Sequence, residues 1–477
     1  MTLDVVIVGY GPVGAVLANL LGRDGIDVAV FEPSHDVYHL PRAAHFDDEV
    51  MRVFQSIGLA SAVLRTAAPV RGMDFVAADG TVLFGFSADD RPRRHGWEAG
   101  YMFYQPDLET ELRAAIERRP SVDVHLGHEV VALVPDDDGV AVTVRNTSTG
   151  AVTTARAAYV VGCDGARSFV RRELGIELDD SGFDQPWLVV DTMLRADAHV
   201  ELPDRILQIC DPRRPTTFVP SAGAHRRWEF MAVDGETADD LLDPVRIAEL
   251  LAPWVTVGCD VDVIRTAVYS FHALVARSWR RGRVLLAGDA AHQMPPFLGQ
   301  GMCAGIRDTA NLSWKLAMVL DGRATDGLLD TYQQEREAHV RAIIELAVSL
   351  GGIIQTTDPA IAAARDESLR SSAGAAGEAP GMPALGRALG HGTSAAVGRP
   401  FPQPAPGDDE QLGHGFAAVG PLAPSSGIEA IGGRSIRRPA GPTTIVRPDR
   451  YVYAVIDNDA ALGAAMHALR TALSTSS

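Results

Sequence analysis

Residues 4–8, Asp-Val-Val-Ile-Val, make a short β-branched run that stops at a glycine. An apolar helical stretch follows over 13–22, and residues 28–31 form a second apolar run. This order predicts a β-α-β unit whose strands are apolar enough for a parallel sheet covered on both faces. Residues 140–145 and 157–161 read as further strands, set apart by Asp-Asp-Asp-Gly and Ser-Thr-Gly turns. A strand-rich stretch covers 187–233, clearest at 187–192 and 227–233. Helical periodicity then runs from 302 to about 351, with a break at Asp321-Gly322. Between 371 and 435 the pattern dissolves into Ala, Gly, Pro and Ser, as in 373–380 and 399–407. Such a composition costs much ordering entropy for little burial, which predicts a linker or loosely packed loop. A strand over 451–456 and an Ala/Leu helix close the chain, and no internal repeat is present.

Composition narrows the class. The chain has 477 residues, 46% hydrophobic and 22% charged, which excludes a wholly disordered chain and leaves room for about three structural units. Sixty-one acids against 43 bases give a formal charge of −18. That balance speaks against nucleic acid or an anionic membrane as partner, since both need cationic patches. Lys315 is the sole lysine. Cys163, Cys210, Cys259 and Cys303 lack CxxC spacing, so neither a disulfide framework nor a zinc site is expected, in keeping with a reducing compartment. Asp4 stands where a signal peptide would be basic, Asn19, Arg23 and Asp24 interrupt the apolar stretch, and no run reaches a membrane span. A soluble, cytoplasmic protein is the expectation.

The chemistry concentrates in three segments. Gly9-Tyr10-Gly11-Pro12-Val13-Gly14 follows the first strand and opens a helix, where glycines admit a pyrophosphate to the backbone and the helix N-terminus faces its charge. Eighteen residues on, Glu32 closes the second strand, where a carboxylate can bond ribose hydroxyls. The second segment is Gly162-Cys163-Asp164-Gly165-Ala166-Arg167-Ser168. The third is Gly288-Asp289, continuing to Met294-Pro295-Pro296-Phe297-Leu298-Gly299-Gln300-Gly301. Asp289 ends a strand, where it can accept a hydroxyl of a bound cofactor. The turn at Gly299 and Gly301 leads into a helix expected near Met302, whose free N–H groups can face an anionic edge. An anion there gains about 0.3–2 kcal/mol.

A GxGxxG, a central DG and a later GD in this order resemble class A FAD-dependent aromatic hydroxylases. Pro41-Arg42-Ala43-Ala44-His45, Gln105-Pro106, Cys210-Asp211-Pro212, Arg227-Trp228-Glu229 and residues 330–336 are similar to the 3-(3-hydroxyphenyl)propionate hydroxylase branch of that family. The likeness covers about residues 4–355. It implies an α/β fold with a Rossmann-like FAD-binding domain of GR2 type, an inserted β-sheet substrate domain and a shortened C-terminal region. The implied boundaries are 1–72, 98–178 and 275–370 for FAD, 73–97 and 179–274 for substrate, and 371–477 for linker and reduced C-terminal domain. It also implies FAD as tightly bound cofactor, NADPH or NADH as transient donor, and a small aromatic substrate with molecular oxygen. Arg42, Gln105, Asp164 and Asp289 become FAD-contacting positions by motif, and Arg167 a residue near the pyrophosphate and the visiting nicotinamide. Cys303 departs from the family, which more often has asparagine after the Gly-Gln-Gly turn, so a different side chain is expected to border the flavin. The lack of CxxC removes a redox role for the tail.

The implied reaction passes through a flavin C4a-hydroperoxide and transfers oxygen to an activated phenol inside a pocket with few polar groups. Residues 294–297 are candidates for its wall or for plain loop packing, and Pro296 is implied to lie beside the isoalloxazine. His45, close behind Arg42, is the first candidate for the base, with a merely structural histidine as the alternative. His292 reads as a loop residue placed by the GD motif. Arg226 and Arg227 read as an exposed strand pair, with a substrate carboxylate site as the other option. A tailoring hydroxylase of a larger aromatic polyketide or other natural product uses the same chemistry. A flavin-dependent reductase or dehydrogenase without oxygen insertion, and a flavin-binding protein without turnover, are the other classes. A homo-oligomer is left open.

Overall fold

The computed structural model describes residues 3–88, 93–372 and 381–474. Leu3–Val8 lies at the centre of a parallel sheet, between Val152–Gly162 and Val28–Glu32. Val284–Leu286 extends the sheet beyond Val152–Gly162, and Val122–Leu126 extends it beyond Val28–Glu32. Val5, Val6 and Ile7 are wholly buried, as a strand covered on both faces requires. Pro12–Arg23 returns from the first strand to the second as the crossover helix. The register decides the rest. Val8 pairs with Gly162, and Gly162 with Leu286, so the turns at Gly9, Cys163 and Ala287 all leave the same carboxyl edge. Ligands of open α/β sheets bind at that edge.

A second sheet has eight strands, built around the long antiparallel pair Leu178–Leu194 and Val261–Ala276. Gly72–Val76 and Val82–Ser87 join it at its far side. Leu188, Val190, Phe218, Trp228 and Phe230 fill one core with Ile247 and Leu251 from the helix Pro244–Leu251. Trp187, Phe75 and Met231 form another with Phe297 and Ile354. Phe297 thus ties the second sheet to the first unit.

The helices Gly301–Leu320 and Asp330–Ile354 flank the break expected at 321–322. Residues 373–380 of the predicted linker lie outside the described residues. The remainder, 381–435, differs from the loose loop expected of it. Ala417–Val419 and Arg434–Ile436 pair within a four-stranded sheet with Thr443–Val446 and Val452–Ile456. Phe416, Ile428, Ile445 and Leu469 bury against Trp314 and Met318 of the helix Gly301–Leu320. Composition misleads here because few apolar side chains are needed when they dock onto a surface built elsewhere. Among the described residues no helix is long and apolar enough to cross a membrane.

Candidate functional site

The first glycine turn has one crowded side and one open side. Gly9, with φ 98°, lies so close to Cys163 that a Cβ would come within 2.6 Å of its carbonyl oxygen, and a Cβ on Gly14 would overlap Gly9 O. A Cβ on Gly11 would meet nothing within 4 Å. Pro12 takes the first helical position, where a missing N–H costs nothing. The open face at Gly11 therefore adjoins a helix N-terminus with unspent N–H groups, the arrangement that fits a pyrophosphate. Glu32 accepts from Tyr10 N at 2.9 Å and from Ser34 N at 3.0 Å, which holds its carboxylate beside the turn.

The 41–47 loop is clamped from two sides. Gln105 Oε1 accepts from Arg42 N at 3.1 Å and Ala43 N at 2.7 Å, while its amide donates to Glu109 Oε1. Buried Gln105 is thus spent on the backbone of the loop and leaves the Arg42 side chain to face outward. The guanidinium of Arg42 stacks over Tyr38 at 4.5 Å. From the other side, Arg227 Nη1 donates to Arg42 O at 2.6 Å and Arg265 Nη1 to Pro41 O at 2.6 Å. Asp191, fully buried, accepts from Arg227, Arg265 and His225. Burial alone would raise its carboxyl pKa, but Arg227 and then His225 hold it below the usual range. Arg227 is therefore no exposed strand residue; 5% of it is accessible, and it braces the loop. Arg226 is half-buried and donates to Gly223 O.

The GD segment meets the glycine turn through Val13. A Cβ at Gly288 would come within 3.0 Å of Val13 Cγ2, and one at Gly305 within 2.6 Å of the same atom. Asp289 is reached by solvent yet ringed by protein, so burial raises its carboxyl pKa against the opposing charges of His292 and Arg42. Gly299 has φ 62°, and Gly301 opens the helix with only Met294 near the place of a Cβ. The helix starts one residue before the expected Met302, which is half-buried. His292 bonds Asp308 at 2.6 Å in the interior, a structural role as the loop reading expects. Cys303 differs from expectation: it is fully buried, with its thiol toward His45 O and Gly299 O, so it supports the turn from beneath.

His45 begins the strand His45–Asp47, half-buried, with Nδ1 3.4 Å from Gly299 O. The strand is anchored by Asp47, which binds Arg307 at 2.5 Å and caps the next helix through Val50 N. Pro296 is half-buried on the turn leading to Gly299. Beyond it, Phe297 meets Trp187, Phe183 and Phe271 at ring-centroid distances of 5.6–6.2 Å. The partly exposed Phe183 and Phe271 escaped sequence reasoning because they come from distant strands of the second sheet. Asp164 accepts from Ser168 Oγ and Val170 N, so its carboxylate caps the helix Phe169–Glu173, and Arg167 is exposed on the turn between them.

A family model described as FAD binding domain matches residues 2–347. The probable NADH-specific resorcinol 4-hydroxylase of Rhodococcus jostii (strain RHA1) is 46% identical over 365 residues, 76% of this chain and 68% of that protein. The 3-(3-hydroxy-phenyl)propionate/3-hydroxycinnamic acid hydroxylase of Mycolicibacterium smegmatis (strain ATCC 700084 / mc(2)155) is 42% identical over 370 residues, 78% of this chain. The match spans 64% of that relative's length. The fold is that of aklavinone-11 hydroxylase, solved in a ternary complex with FAD and aklavinone, with a TM-score of 0.79, 23% identity and 99% of both chains covered.

Proposed function

We propose that this chain, which belongs to the FAD-binding domain family and takes FAD as its cofactor, is an NADH-dependent monooxygenase that places one atom of molecular oxygen on a small phenol. The relatives' names, resorcinol and 3-(3-hydroxy-phenyl)propionate, share a phenol with a second substituent meta to the hydroxyl. A meta-substituted phenol is the substrate class we assign.

One observation carries the reading: the turns at Gly9, Cys163 and Ala287 and the helix start at Gly301 open at one sheet edge, beside an aromatic wall from the second sheet. Bound FAD would supply electron acceptance from the nicotinamide and activation of oxygen. The chain supplies the rest. N–H groups at Gly11 and Gly14 would hold the pyrophosphate, with Glu32 on the ribose and Asp289 on the ribityl chain. Arg42 and Asp164 would contact FAD, and Arg167 would stand near the pyrophosphate and the visiting nicotinamide. The Gly301 helix end favours negative charge on the ring, by about 0.3–2 kcal/mol. Pro296, Phe183, Trp187, Phe271 and Phe297 would wall the ring and, with substrate in place, would exclude water.

Ring attack needs the phenol activated. Lowering a phenolic pKa from about 10 by two units requires about 3 kcal/mol of preferential anion stabilisation. His45 is the group we assign to accept that proton. The test is FAD-loaded protein given resorcinol and 3-(3-hydroxyphenyl)propionate with NADH. The expected result is product carrying one added oxygen atom in proportion to NADH consumed under air, and none without air. NADH consumption that yields unmodified phenol would establish an oxidase or reductase instead. His45→Gln is expected to lower kcat about a hundredfold and flatten its pH profile; unchanged rate and profile would dismiss His45 as the base.

A further inference from the structure

Away from the sheet edge, the C-terminal unit meets the FAD-binding unit around a cavity of about 40 Å³. That room accommodates two or three waters or one small anion. Arg23, Arg52, Arg307, Arg336 and Arg450 line it with Glu49 and Asp449, and each arginine already has a carboxylate: Asp24, Asp409, Asp47 and Glu49, Asp308, and Asp409 in turn. Both lining carboxylates are engaged. Glu49 accepts from Arg307 Nε at 2.6 Å and from Tyr451 OH at 2.5 Å, and Asp449 accepts from Arg447 and Asn311.

Three donors among the lining residues have no hydrogen-bond partner among the described residues: Arg336 Nη1, Arg450 Nη1 and Trp314 Nε1. Arg336 is 0% exposed and Trp314 3%. A buried polar group left unmade costs about 1–3 kcal/mol, more when charged. All three are donors. A water molecule has two lone pairs and must also place its own hydrogens, whereas an anion accepts from every side.

Arg450 has two further marks. Its backbone φ of 70° is left-handed, a conformation that persists in a non-glycine residue only where the surroundings impose it. It shares Asp409 with Arg52, at 3.3 Å against 2.5 Å. Burial lowers its pKa to about 10, with Arg52 and Arg23 adding to the fall and Asp409 and Asp449 opposing it.

We propose that this seam binds a small monovalent inorganic anion of halide size, held by Arg336, Arg450 and the Trp314 indole, and that the anion completes docking of the C-terminal unit. The FAD-loaded protein is crystallised from sodium bromide and data are collected at the bromine edge. An anomalous peak in the cavity is expected. In solution, chloride-35 line broadening is expected to reveal a saturable site displaced by bromide. Trp314→Phe keeps the ring and removes the N–H, and it should weaken that site at least tenfold, as should Arg450→Gln. Water density without an anomalous signal, or line broadening identical in wild type and Trp314→Phe, overturns the proposal.

Discussion

The first turn of the helix Gly301–Leu320 offers backbone N–H groups beside glycine, whereas its middle turns carry Arg307, Asp308, Asn311 and Lys315, each bound to a side chain from another element. Arg307 holds Asp47 and Glu49; Asp308 holds His292 and Arg336; Asn311 and Lys315 both reach Glu335. Glu335 in turn binds Arg447 of the C-terminal unit at 2.5 Å. Along this helix the groups left open belong to the backbone of the first turn, where no side chain competes for them. Its charged side chains are paired within the fold, because a charge left unpaired in the interior is expensive. The comparison explains why several titratable candidates, His292 and Arg227 among them, serve structure, while the backbone at Gly11 and Gly301 remains open.

The sharpest way to break this contrast is Glu335→Ala. It strands Lys315 and Arg447 without their shared carboxylate, and a loss of about 3–5 kcal/mol in unfolding free energy is expected by denaturant titration. The matching change at a bare helix start is Gly14→Ala in the first turn of the helix Pro12–Arg23, where the added Cβ would overlap Gly9 O. About a hundredfold weaker FAD binding, ~2.7 kcal/mol, is expected by fluorescence titration. Asp191→Asn probes the link between the two kinds of region, since Asp191 orients the arginines that grip the Arg42 loop. FAD affinity is expected to fall about tenfold, ~1.4 kcal/mol, and an unchanged affinity would show that the loop holds itself.

The smallest effect is a pH dependence. Burial alone would raise the Glu335 pKa, but Arg447 and then Lys315 outweigh it and hold the carboxyl below the usual range. A carboxyl lowered in the folded state contributes stability above its unfolded pKa of about 4.3 and loses it as pH falls toward the folded value. Wild-type Tm should therefore drop on acidification below about pH 4.5 more steeply than that of Glu335→Gln, measured by calorimetry. Parallel curves would place the acid sensitivity elsewhere.

The turns of the candidate site are legible in the sequence because their signal is local. Gly9–Gly14, Glu32 and Gly288-Asp289 each depend on a strand end, a turn and a helix start within a few residues, and glycine marks those places for steric reasons. The bracing of Arg42 was not legible. Its carbonyl is held by Arg227, 185 residues away, and nothing in the alternation of the strand His225–Met231 tells a buried arginine from an exposed one. Cys303 is similar, since its inward orientation follows from the packing of its helix on His45–Asp47.

Two parts of the chain separate what order of residues alone can determine from what it cannot. The β-α-β start and the helix break near 321–322 follow from periodicity and turn chemistry, which act between neighbours. The folding of 381–435 follows from Trp314 and Met318 presenting a surface on which Phe416 and Ile428 bury. That burial, and the pairing of Arg307 on the helix beneath it with Asp47 and Glu49, joins residues a hundred or more positions apart, and only closure of the whole chain brings them within reach.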